Sequence, residues 1–505
     1  MPHVVTQSCV GDGSCVFACP VNCIQPTPDD PMFELAEMLH IDPTTCVDCG
    51  ACVSACPVDA IKPHTLLTPG EEAFTLINAE YHRHDGRQRA PLAPVRPRLH
   101  VRDRAEPLRV AIVGSGPAAM YAAEEILTIP DARVSVYERL PVPYGLVRSG
   151  VAPDHRRTRR VSRQFDHIRR HTGLTMHLGV EVGRDTTHEQ LLTAHHAVIY
   201  AVGAATDRPL QIPGADLPGA ISATQLVAWY NGHPAHAGRT IDLSHRRAVI
   251  IGNGNVALDI ARILTLDPEA LADTEIAPAA LAALRTSRVE EIVIAARRGP
   301  EHSAFTLPEL VGLAATAGVT LSVRPEDLAA APAGDKKLEL LRGLPPTAGT
   351  GRQIQLRYRL APRRVLGSDA VEAIELERTD GTLTGTGLTE TIDAGLLVTS
   401  IGYRGAPLSA LPFDATTGTI PNDGGRVVDP STGRDVPGTY VVGWIKRGPT
   451  GFIGTNKICS QNTVAALVND YNADRLPNPI AAPTAVDTRP ATWRARAPRM
   501  FTRAR

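Results

Sequence analysis

The sequence predicts an α/β architecture of two parallel-sheet domains, the second inserted into the first, preceded by a small cysteine-rich α+β domain. Eight of the nine cysteines lie between Cys9 and Cys56. Two later segments, beginning at Val110 and Ala248, each read as a strand, a glycine turn and a helix. The chain has 505 residues, which is enough for three or four compact domains.

The expected domain boundaries follow composition and strand pattern. Residues 83–107 combine four prolines with many arginines and show no apolar period, which is typical of a semi-extended linker. Residues 198–203 and 396–402 read as strands that leave and re-enter the first parallel-sheet domain. The predicted units are a cysteine-rich domain (1–65), a linker (66–107), a first parallel-sheet domain (108–205 and 396–480), a second one (206–395) and a C-terminal tail (481–505).

The charge is unevenly distributed along the chain. The formal net charge is −1, but residues 1–62 carry eight acidic residues and one basic residue, a net charge of −7, which leaves +6 for the remainder. Nucleic-acid binding needs a concentrated basic patch with supporting aromatic residues, and aromatic residues make up only 4% of the chain, so we expect no nucleic-acid binding. No apolar run reaches the length of a membrane span, and the first residues do not resemble an export signal. We therefore expect a soluble, cytoplasmic protein.

The later cysteines have the spacing of a bacterial ferredoxin. Cys46-x2-Cys49-x2-Cys52-x3-Cys56-Pro57 is the run in which three thiolates hold one iron–sulfur cluster and the fourth reaches a second cluster. A matching half-motif should therefore precede it. The run Cys9-x5-Cys15-x3-Cys19-Pro20 matches at three of four places, and Asp12 stands where the middle cysteine belongs.

These spacings predict two unequal clusters. One is a 4Fe-4S cluster held by four thiolates, those of Cys19, Cys46, Cys49 and Cys52. The other has only the three thiolates of Cys9, Cys15 and Cys56. Thiolate is the soft ligand that iron–sulfur clusters prefer, so an aspartate at the fourth corner would bind iron less firmly. This cluster is therefore expected to be either 3Fe-4S or an Asp12-ligated 4Fe-4S, and Asp12 can equally be a turn residue that binds no metal.

Two other chemistries fit the cysteine block less well. A disulfide-stapled module would need an export signal, which the sequence lacks. Zinc sites rarely use two interleaved runs of this type. Cys23 is surplus to both clusters, and we expect it to pack beside them as a small buried hydrophobic residue.

The first glycine turn predicts a dinucleotide site. Gly114-x-Gly116-x-x-Ala119 follows a strand and opens a helix, so that backbone amides can approach a pyrophosphate. Glu138 ends the next strand, where a carboxylate can accept hydrogen bonds from an adenosine ribose. The two features together favour dinucleotide binding over a purely structural turn.

The second glycine turn predicts a different nucleotide. Gly252-x-Gly254-x-x-Ala257 is followed by a strand that ends in Arg297 and Arg298 rather than in an acid. Two guanidinium groups at the ribose edge suit a 2′-phosphate and therefore favour NADP over NAD, unless they are ordinary surface arginines. The long gap before them predicts a helical insertion over 265–288.

Four sequence motifs around these turns carry a family resemblance. They are Tyr144-Gly-Leu-Val-Arg-Ser-Gly-Val-Ala-Pro-Asp-His155, Ile251-Gly-Asn-Gly-Asn-Val-Ala-Leu-Asp259, Ala296-Arg-Arg-Gly-Pro300 and Gly443-Trp-Ile-Lys-Arg-Gly-Pro-Thr-Gly451. Over roughly 108–475 the chain resembles the ferredoxin–NADP reductases of the adrenodoxin-reductase type. With the cysteine block included, it resembles the mycobacterial reductases that carry a fused N-terminal ferredoxin. Asp12 departs from the pattern of that ferredoxin.

The resemblance implies a flavoprotein with a Rossmann-like FAD domain, an inserted NADP domain and a fused ferredoxin-like domain. Beyond the glycine turns, it implies FAD contacts at Ala118, Glu138, Leu146, Val182, Trp444, Gly451, Phe452 and Ile453. It implies NADP contacts at Arg208, Asn253, Gly254, Asn255, Val256, Arg297, Arg298, Glu309 and Gly451. His155 and Glu309 would flank the flavin and the nicotinamide, either to handle protons or only to position the rings.

Two further segments are expected to serve the cofactors. A helix from about Lys457 to Tyr471 follows the glycine-rich stretch 448–454, and its positive N-terminus would favour a reduced, anionic flavin unless it is a mere loop–helix junction. The basic run Arg156, Arg157, Arg159, Arg160 and Arg163 can dock the chain's own acidic module or a separate acidic ferredoxin, or it can be a solvated charged face.

The expected reaction is hydride transfer between NADPH and FAD, followed by single-electron transfer to the iron–sulfur clusters, an external ferredoxin or a downstream redox enzyme. Tethering should let electrons pass within the chain. A flavin disulfide reductase is excluded, because residues 57–505 contain only one cysteine, Cys459. The remaining alternative is an electron-relay subunit that feeds a separate catalytic partner.

Overall fold

The computed structural model describes residues 2–84, 90, 92–95, 99–102, 106–329, 331–346 and 351–480. The predicted tail over 481–505 lies outside the described residues, as do parts of the predicted linker (85–89, 91, 96–98 and 103–105). Within the described ranges, no helix combines the length and the hydropathy needed to cross a membrane.

The cysteine-rich segment folds into a small α+β unit. Its two antiparallel strand pairs join β1 to β4 and β2 to β3, and the short helices α1 and α2 pack against each other. The elements are β1 (His3–Val5), α1 (Ser14–Ala18), β2 (Ile24–Gln25), β3 (His40–Ile41), α2 (Ala51–Ala55), β4 (Ile61–Pro63) and α3 (Ala73–His84).

The two cysteine runs adopt the same local geometry. α1 follows Gly13, at φ 72° and ψ −1°, and is followed by Cys19 as its C-terminal cap. α2 follows Gly50, at φ 73° and ψ 0°, and is followed by Cys56 as its C-terminal cap. Positive φ of this kind favours glycine, which explains a glycine before each helix. The sequence repeat is therefore also a structural repeat.

The predicted linker over 66–107 is wrong for its first part, because residues 73–84 form α3. Phe74 and Asn78 lie one turn apart on α3 and are both buried. The Asn78 side chain accepts from the backbone N–H groups of Val5 (3.1 Å) and Ile41 (2.9 Å) and donates to the carbonyls of Val5 (2.9 Å) and Phe74 (2.8 Å). A buried asparagine interrupts the apolar pattern of the helix, but here its side chain hydrogen-bonds the backbone at the ends of β1 and β3. We use the name ferredoxin-like module for residues 2–84.

The first dinucleotide domain contains a seven-stranded sheet of order β20-β21-β22-β8-β5-β6-β7, in which β22, β8, β5, β6 and β7 are parallel. Its strands are β5 (Arg109–Val113), β6 (Arg133–Glu138), β7 (Leu174–Leu178), β8 (Ala197–Tyr200), β20 (Asn422–Asp423), β21 (Arg426–Asp429) and β22 (Arg434–Val441). Its helices are α4 (Pro117–Ile126), α5 (Leu146–Ser149), α6 (Arg156–Arg159), α7 (Val161–Arg169), α8 (His188–Ala194), α15 (Trp444–Arg447) and α16 (Thr455–Asn472).

The second dinucleotide domain contains a six-stranded parallel sheet of order β10-β18-β11-β12-β14-β13. Its strands are β10 (Ala220–Ser222), β11 (Arg247–Ile251), β12 (Glu291–Ala295), β13 (Val319–Val323), β14 (Arg352–Arg357) and β18 (Leu396–Thr399). Its helices are α9 (Ala223–Tyr230), α10 (Asn255–Thr265), α11 (Pro278–Arg285), α12 (Leu307–Ala314), α13 (Pro325–Leu328) and α14 (Lys336–Arg342). A three-stranded antiparallel sheet packs beside it, formed by β15 (Leu360–Leu366), β16 (Ala373–Thr379) and β17 (Gly385–Asp393).

The chain crosses between the two domains at a small antiparallel pair, β9 (Thr206–Asp207) and β19 (Tyr403–Arg404). The predicted boundary at residue 396 is therefore wrong, because β18 lies in the second sheet between β10 and β11. A short run of buried apolar residues has the same pattern in either sheet, so the sequence could not assign this strand. The predicted helical insertion over 265–288 contains α11.

We expect Asn78→Ala to destabilise the ferredoxin-like module by about 3 kcal/mol, because two buried N–H groups lose their acceptor. Urea unfolding, followed by the visible absorption of the module, measures the change. Thr75→Ala is the matched control, since Thr75 is exposed on the same helix. Equal unfolding midpoints for the two variants would contradict this role for Asn78.

Candidate functional site

Four of the predicted cluster ligands surround one cavity in the ferredoxin-like module. The cavity is lined by Cys19, Cys46, Cys49 and Cys52, and also by Cys23. Cys49 is exposed, so this site lies at the surface of the module. The sulfur atoms of Cys19 and Cys23 are 3.4 Å apart, and the hydrogen bond from Cys23 lowers the pKa of the Cys19 thiol to about 5. All nine cysteines are free thiols, and the donor set fits a thiolate-ligated cluster.

The second predicted site is deeper in the protein. Cys9, Cys15, Cys56 and Asp12 lie close enough to interact electrostatically. Burial raises the pKa of the Cys9 thiol to about 12 and also raises the pKa of the Cys15 thiol. Deprotonation of these thiols would therefore require a cation beside them, and bound iron would supply that positive charge.

Asp12 is already engaged by protein groups. One carboxylate oxygen, Oδ2, accepts a hydrogen bond from the Ser14 hydroxyl and lies 3.3 Å from Lys457 Nζ. Lys457 belongs to α16, in the first dinucleotide domain. The structure thus gives Asp12 a partner in another domain, which the sequence did not indicate.

The deeper cysteine site faces the first dinucleotide domain directly. The Gly454 N–H donates to the Val10 carbonyl at 2.7 Å. Val10, Val58 and Ala60 of the module are buried in the same hydrophobic cluster as Ala118 of α4. The module is therefore packed against the first dinucleotide domain.

The basic run contributes to this packing with some of its arginines. Arg157 pairs with Glu71 of the module at 3.1 Å, and Arg160 pairs with Asp59. Arg159 is instead buried, and it joins the two dinucleotide domains through Glu275 at 2.7 Å.

The other two arginines of the run are exposed to solvent. Arg156 and Arg163 are exposed and have no ion-pair partner among the described residues. Of the predicted alternatives, the structure places the chain's own acidic module on Arg157 and Arg160 and leaves Arg156 and Arg163 as a solvated face.

Ion pairs and a hydrogen bond also join the module to the second dinucleotide domain. Glu37 accepts from the Leu307 N–H at 2.7 Å, at the start of α12, and lies 3.1 Å from Lys337. Glu80 pairs with Lys336 at 2.6 Å. The acidic module therefore bridges both dinucleotide domains through individual basic residues of each.

The first glycine turn has the tight geometry expected of a dinucleotide loop. Gly114 has φ 100°, and a Cβ there would lie 2.6 Å from the Ala201 carbonyl oxygen. Gly116 precedes α4, whose first residues include Ala118 and Ala119. The Glu138 carboxylate accepts from the Ser115 N–H at 3.1 Å and the Ser115 hydroxyl at 2.6 Å, so it lies beside the loop.

Two later loops meet the first glycine turn. The backbone of Gly145, next to Leu146, approaches Gly116 so closely that a Cβ would lie 3.3 Å from its Cα. A Cβ at Gly443 would lie 2.7 Å from the Ala118 Cβ. The predicted FAD residues of these segments are therefore brought together around the start of α4.

The remaining predicted FAD residues lie on the loop before α16 and beside the sheet. Trp444 stacks on Tyr403, with ring centroids 5.6 Å apart, and donates to the Thr450 carbonyl at 3.0 Å. The loop continues through Gly451, Phe452 and Ile453 into α16, which begins at Thr455 rather than at the predicted Lys457. Val182 packs against the core of the same domain.

The second glycine turn is equally tight. A Cβ at Gly252 would lie 2.1 Å from the Ser400 carbonyl oxygen. Gly254 precedes α10, which starts at Asn255. The Asn255 side chain accepts from the Thr306 N–H at 2.8 Å, whereas the buried amide nitrogen of Asn253 has no partner among the described residues. An unpaired buried donor at this position suits a bound nucleotide.

Arg297 and Arg298 are exposed at the end of β12 and have no ion-pair partner among the described residues. A cleft of about 190 Å³ is lined by Arg298, His302 and the turn 380–383. Arg208 is exposed at the domain crossing, where its N–H donates to the Gly402 carbonyl at 3.1 Å. Val256 packs against the core of the second domain.

His155 and Glu309 meet between the two dinucleotide domains. The His155 Nε2 and Glu309 Oε2 atoms are 3.8 Å apart, and burial raises the pKa of the Glu309 carboxyl. Gln7 of the module donates to Glu309 at 2.9 Å. No sequence pattern indicates Gln7, because 302 residues separate it from its partner.

Arg262 of α10 lies within this group, and no sequence pattern indicates it either. Its guanidinium lies 2.8 Å from His155 Nε2, 2.7 Å from Asp259 Oδ1 and 2.6 Å from Asp154 Oδ2. His155, Asp259 and Glu309 could by their spacing hold a metal ion. The guanidinium already supplies the positive charge there, so we assign no metal to this group.

Comparisons with known proteins match both parts of the chain. Residues 108–281 match the family described as "Pyridine nucleotide-disulphide oxidoreductase", and residues 8–60 match the "4Fe-4S dicluster domain". A Mycobacterium tuberculosis protein named "Probable ferredoxin/ferredoxin--NADP reductase" is 58% identical over 504 residues, which cover 96% of this chain and 87% of that protein. A Mycobacterium leprae protein of the same name is 55% identical over 497 residues, covering 96% of this chain and 89% of that protein.

A shorter relative matches the reductase part. "NADPH-ferredoxin reductase FprA" of Mycobacterium tuberculosis is 45% identical over 390 residues, covering 72% of this chain and 84% of that protein. The solved structure "Mycobacterium tuberculosis FprA in complex with NADPH" is similar with a TM-score of 0.69 and 43% identity, covering 74% of this chain and 87% of that chain.

We expect Arg157→Glu/Arg160→Glu to slow NADPH-driven reduction of the iron–sulfur clusters about tenfold at low salt, because like charges then face each other across the docked interface. Cluster reduction is followed anaerobically by rapid mixing, and ferricyanide reduction reports the flavin. Arg156→Glu/Arg163→Glu is the matched control, with the same change in net charge on the same helices. An equal effect of both double variants would show that docking does not depend on Arg157 and Arg160.

Proposed function

The chain belongs to the ferredoxin–NADP reductases of the adrenodoxin-reductase type with a fused ferredoxin, and from this premise we propose that its electrons follow a path contained within the chain. It is an oxidoreductase that uses NADP(H), FAD and a 4Fe-4S-type module. The observation that carries the proposed path is the contact between the deeper cysteine site and the loop before α16, where the Gly454 N–H lies 2.7 Å from the Val10 carbonyl oxygen.

The proposed FAD site is built around the start of α4. FAD, when bound, accepts two electrons as a hydride from NADPH and releases them one at a time. The turn at Gly114 and Gly116 offers bare backbone amides to the pyrophosphate, and Glu138 accepts hydrogen bonds from the ribose. The remaining FAD contacts are proposed at Ala118, Ala119, Leu146, Val182, Trp444, Gly451, Phe452 and Ile453.

The proposed NADP site uses the second glycine turn and the two free arginines. The turn at Gly252 and Gly254 approaches the pyrophosphate, and Arg297 and Arg298 bind the 2′-phosphate with charge-assisted hydrogen bonds. Further contacts are proposed at Arg208, Asn253, Asn255, Val256, Glu309 and Gly451. His155 and Glu309 hold the nicotinamide end of the site, where the Arg262 guanidinium is hydrogen-bonded to His155 and Gln7 to Glu309.

The proposed cluster ligands are those that the structure groups together. Cys19, Cys46, Cys49 and Cys52 hold a 4Fe-4S cluster near the surface. Cys9, Cys15 and Cys56 hold the second cluster, which we propose is 3Fe-4S, because the carboxylate at the remaining corner is paired with Lys457. Cys9, Cys15 and Cys56 lie nearer the loop before α16, so a cluster held by them would be the nearer electron acceptor for the proposed FAD site, and one held by Cys19, Cys46, Cys49 and Cys52 would supply the exit near the surface.

External partners are proposed to take electrons at the surface cluster. The module covers Arg157 and Arg160 on the first domain and the start of α12 on the second. Cys49 and Val47 line the surface cavity and are both exposed, Val47 by 59%. An external ferredoxin or a downstream redox enzyme would meet the chain there.

Anaerobic titration of the purified chain with NADPH tests the internal path. We expect the EPR signals of both clusters to change on NADPH addition without any partner protein. Clusters that stay oxidised while the flavin absorbance bleaches would refute an internal path and would favour the relay-subunit alternative, in which a partner is obligatory.

We expect Arg297→Ala/Arg298→Ala to lower kcat/KM for NADPH about 100-fold, because two charge-assisted contacts to the 2′-phosphate are lost. The kcat/KM for NADH should change less than about threefold, since NADH has no phosphate for these groups to bind. Ferricyanide reduction measures both. Arg285→Ala is the control, as Arg285 is an exposed arginine of the same domain paired with Glu269. Parallel losses for NADPH and NADH would contradict the assignment.

A further inference from the structure

Lys457 reaches from the first dinucleotide domain into the deeper cysteine site. It is the third residue of α16 and is only 8% exposed. Its ammonium nitrogen lies 3.3 Å from Asp12 Oδ2 and donates to the Ser14 hydroxyl at 2.8 Å. The Ser14 hydroxyl donates in turn to the same Asp12 oxygen. The three groups form a closed, buried network across the domain boundary.

This network is energetically coupled to the docking of the module. A buried ammonium group near a helix N-terminus is doubly unfavourable, because it loses water and faces the positive end of the helix dipole. Asp12 is its ion-pair partner among the described residues, and the Tyr121 ring lies 5.8 Å away. Lys457 therefore holds the carboxylate strongly, since either charge would be left unpaired without the other.

The position of Asp12 gives this pairing a chemical meaning. Asp12 stands where the half-motif of the other site has a cysteine, beside the thiols of Cys9, Cys15 and Cys56. A carboxylate binds iron through its negative charge. Here that charge already interacts with the Lys457 ammonium group and with the Ser14 hydroxyl. The backbone cannot shift easily to compensate, because a Cβ at Gly454 would already lie 2.2 Å from the Asp12 nitrogen.

We propose that Lys457 withholds Asp12 from the fourth corner of the deeper cluster and so keeps that cluster at three irons. The iron content of the ferredoxin-like module is then set by a residue of the reductase domain, through the docked interface. This inference rests on the proposed assignment of Cys9, Cys15 and Cys56 to that cluster. Lys457 is a positioning residue, because it acts on the metal site only through Asp12.

The test compares iron uptake in full-length Lys457→Met with the wild type. Dithionite first reduces the oxidised 3Fe-4S core by one electron to its neutral form, and addition of one Fe²⁺ to that form gives a 4Fe-4S core of charge 2+ with no further electron. We expect Lys457→Met to take up this iron at about tenfold lower Fe²⁺ concentration than the wild type, because the freed carboxylate can serve as a ligand. Iron per chain and the EPR signal of the oxidised 3Fe-4S cluster are the readouts.

The matched control is Lys336→Met, which removes another lysine ion pair of the same interface, to Glu80, away from the cysteines. It should take up iron like the wild type. The double variant Asp12→Ala/Lys457→Met should also stay at three irons, because it has no carboxylate to offer. Lys457→Arg, which keeps the charge, should behave like the wild type.

Unchanged iron affinity in Lys457→Met would overturn the proposal, as would iron uptake by the double variant. If Lys457→Met fails to fold, Ser14→Ala replaces it, and a shift of iron uptake in the same direction is the expected result; no shift would also overturn the proposal. A wild type that carries two 4Fe-4S clusters would also overturn the proposal, whereas a wild type with iron for only one cluster would refute the assignment of Cys9, Cys15 and Cys56, so the two failures are distinguishable.

Discussion

The packing of residues 9–15 against the start of α16 is the contact on which the rest of the structure depends. It joins backbone to backbone at Val10 and Gly454, and charge to charge at Asp12 and Lys457. Because this contact is buried, the ferredoxin-like module is a fixed part of the enzyme rather than a domain on a loose tether. Electron transfer then depends on a fixed distance between the module and the first dinucleotide domain. The effective concentration of a flexibly tethered module matters little.

Charge complementarity extends this contact over both dinucleotide domains. The acidic module meets arginines on α6 and its C-terminal end, and lysines on α14. Isolated surface ion pairs contribute little stability, but several of them around an apolar contact select one orientation. Gln7 adds a contact at Glu309, beside the proposed nicotinamide site. The module thus contacts the elements that are proposed to hold the nicotinamide and the flavin, between which the hydride is transferred.

The sequence predicts features that depend on short spacings. The cysteine runs, the two glycine turns and the charge at the end of β6 and β12 are local patterns with a direct physical reason, and the comparisons confirm the family that they indicate. The strand β18 and the helix α3 were misassigned, because a short apolar run fits either sheet and a buried asparagine breaks the apolar period. The pairs Gln7–Glu309 and Asp12–Lys457 are 302 and 445 residues apart, so no local pattern could reveal them.

The separation of Cys56 and Lys457 in the sequence also sets a delay between the synthesis of the module and the synthesis of α16. A chain is synthesised from its N-terminus at about 5–20 residues per second, so the roughly 400 residues between them take about 20–80 s to emerge. During this interval the module exists without the domain that later covers its deeper cysteine site. During this interval iron and sulfide can reach that site without passing the covering domain, which is completed only when α16 has been synthesised.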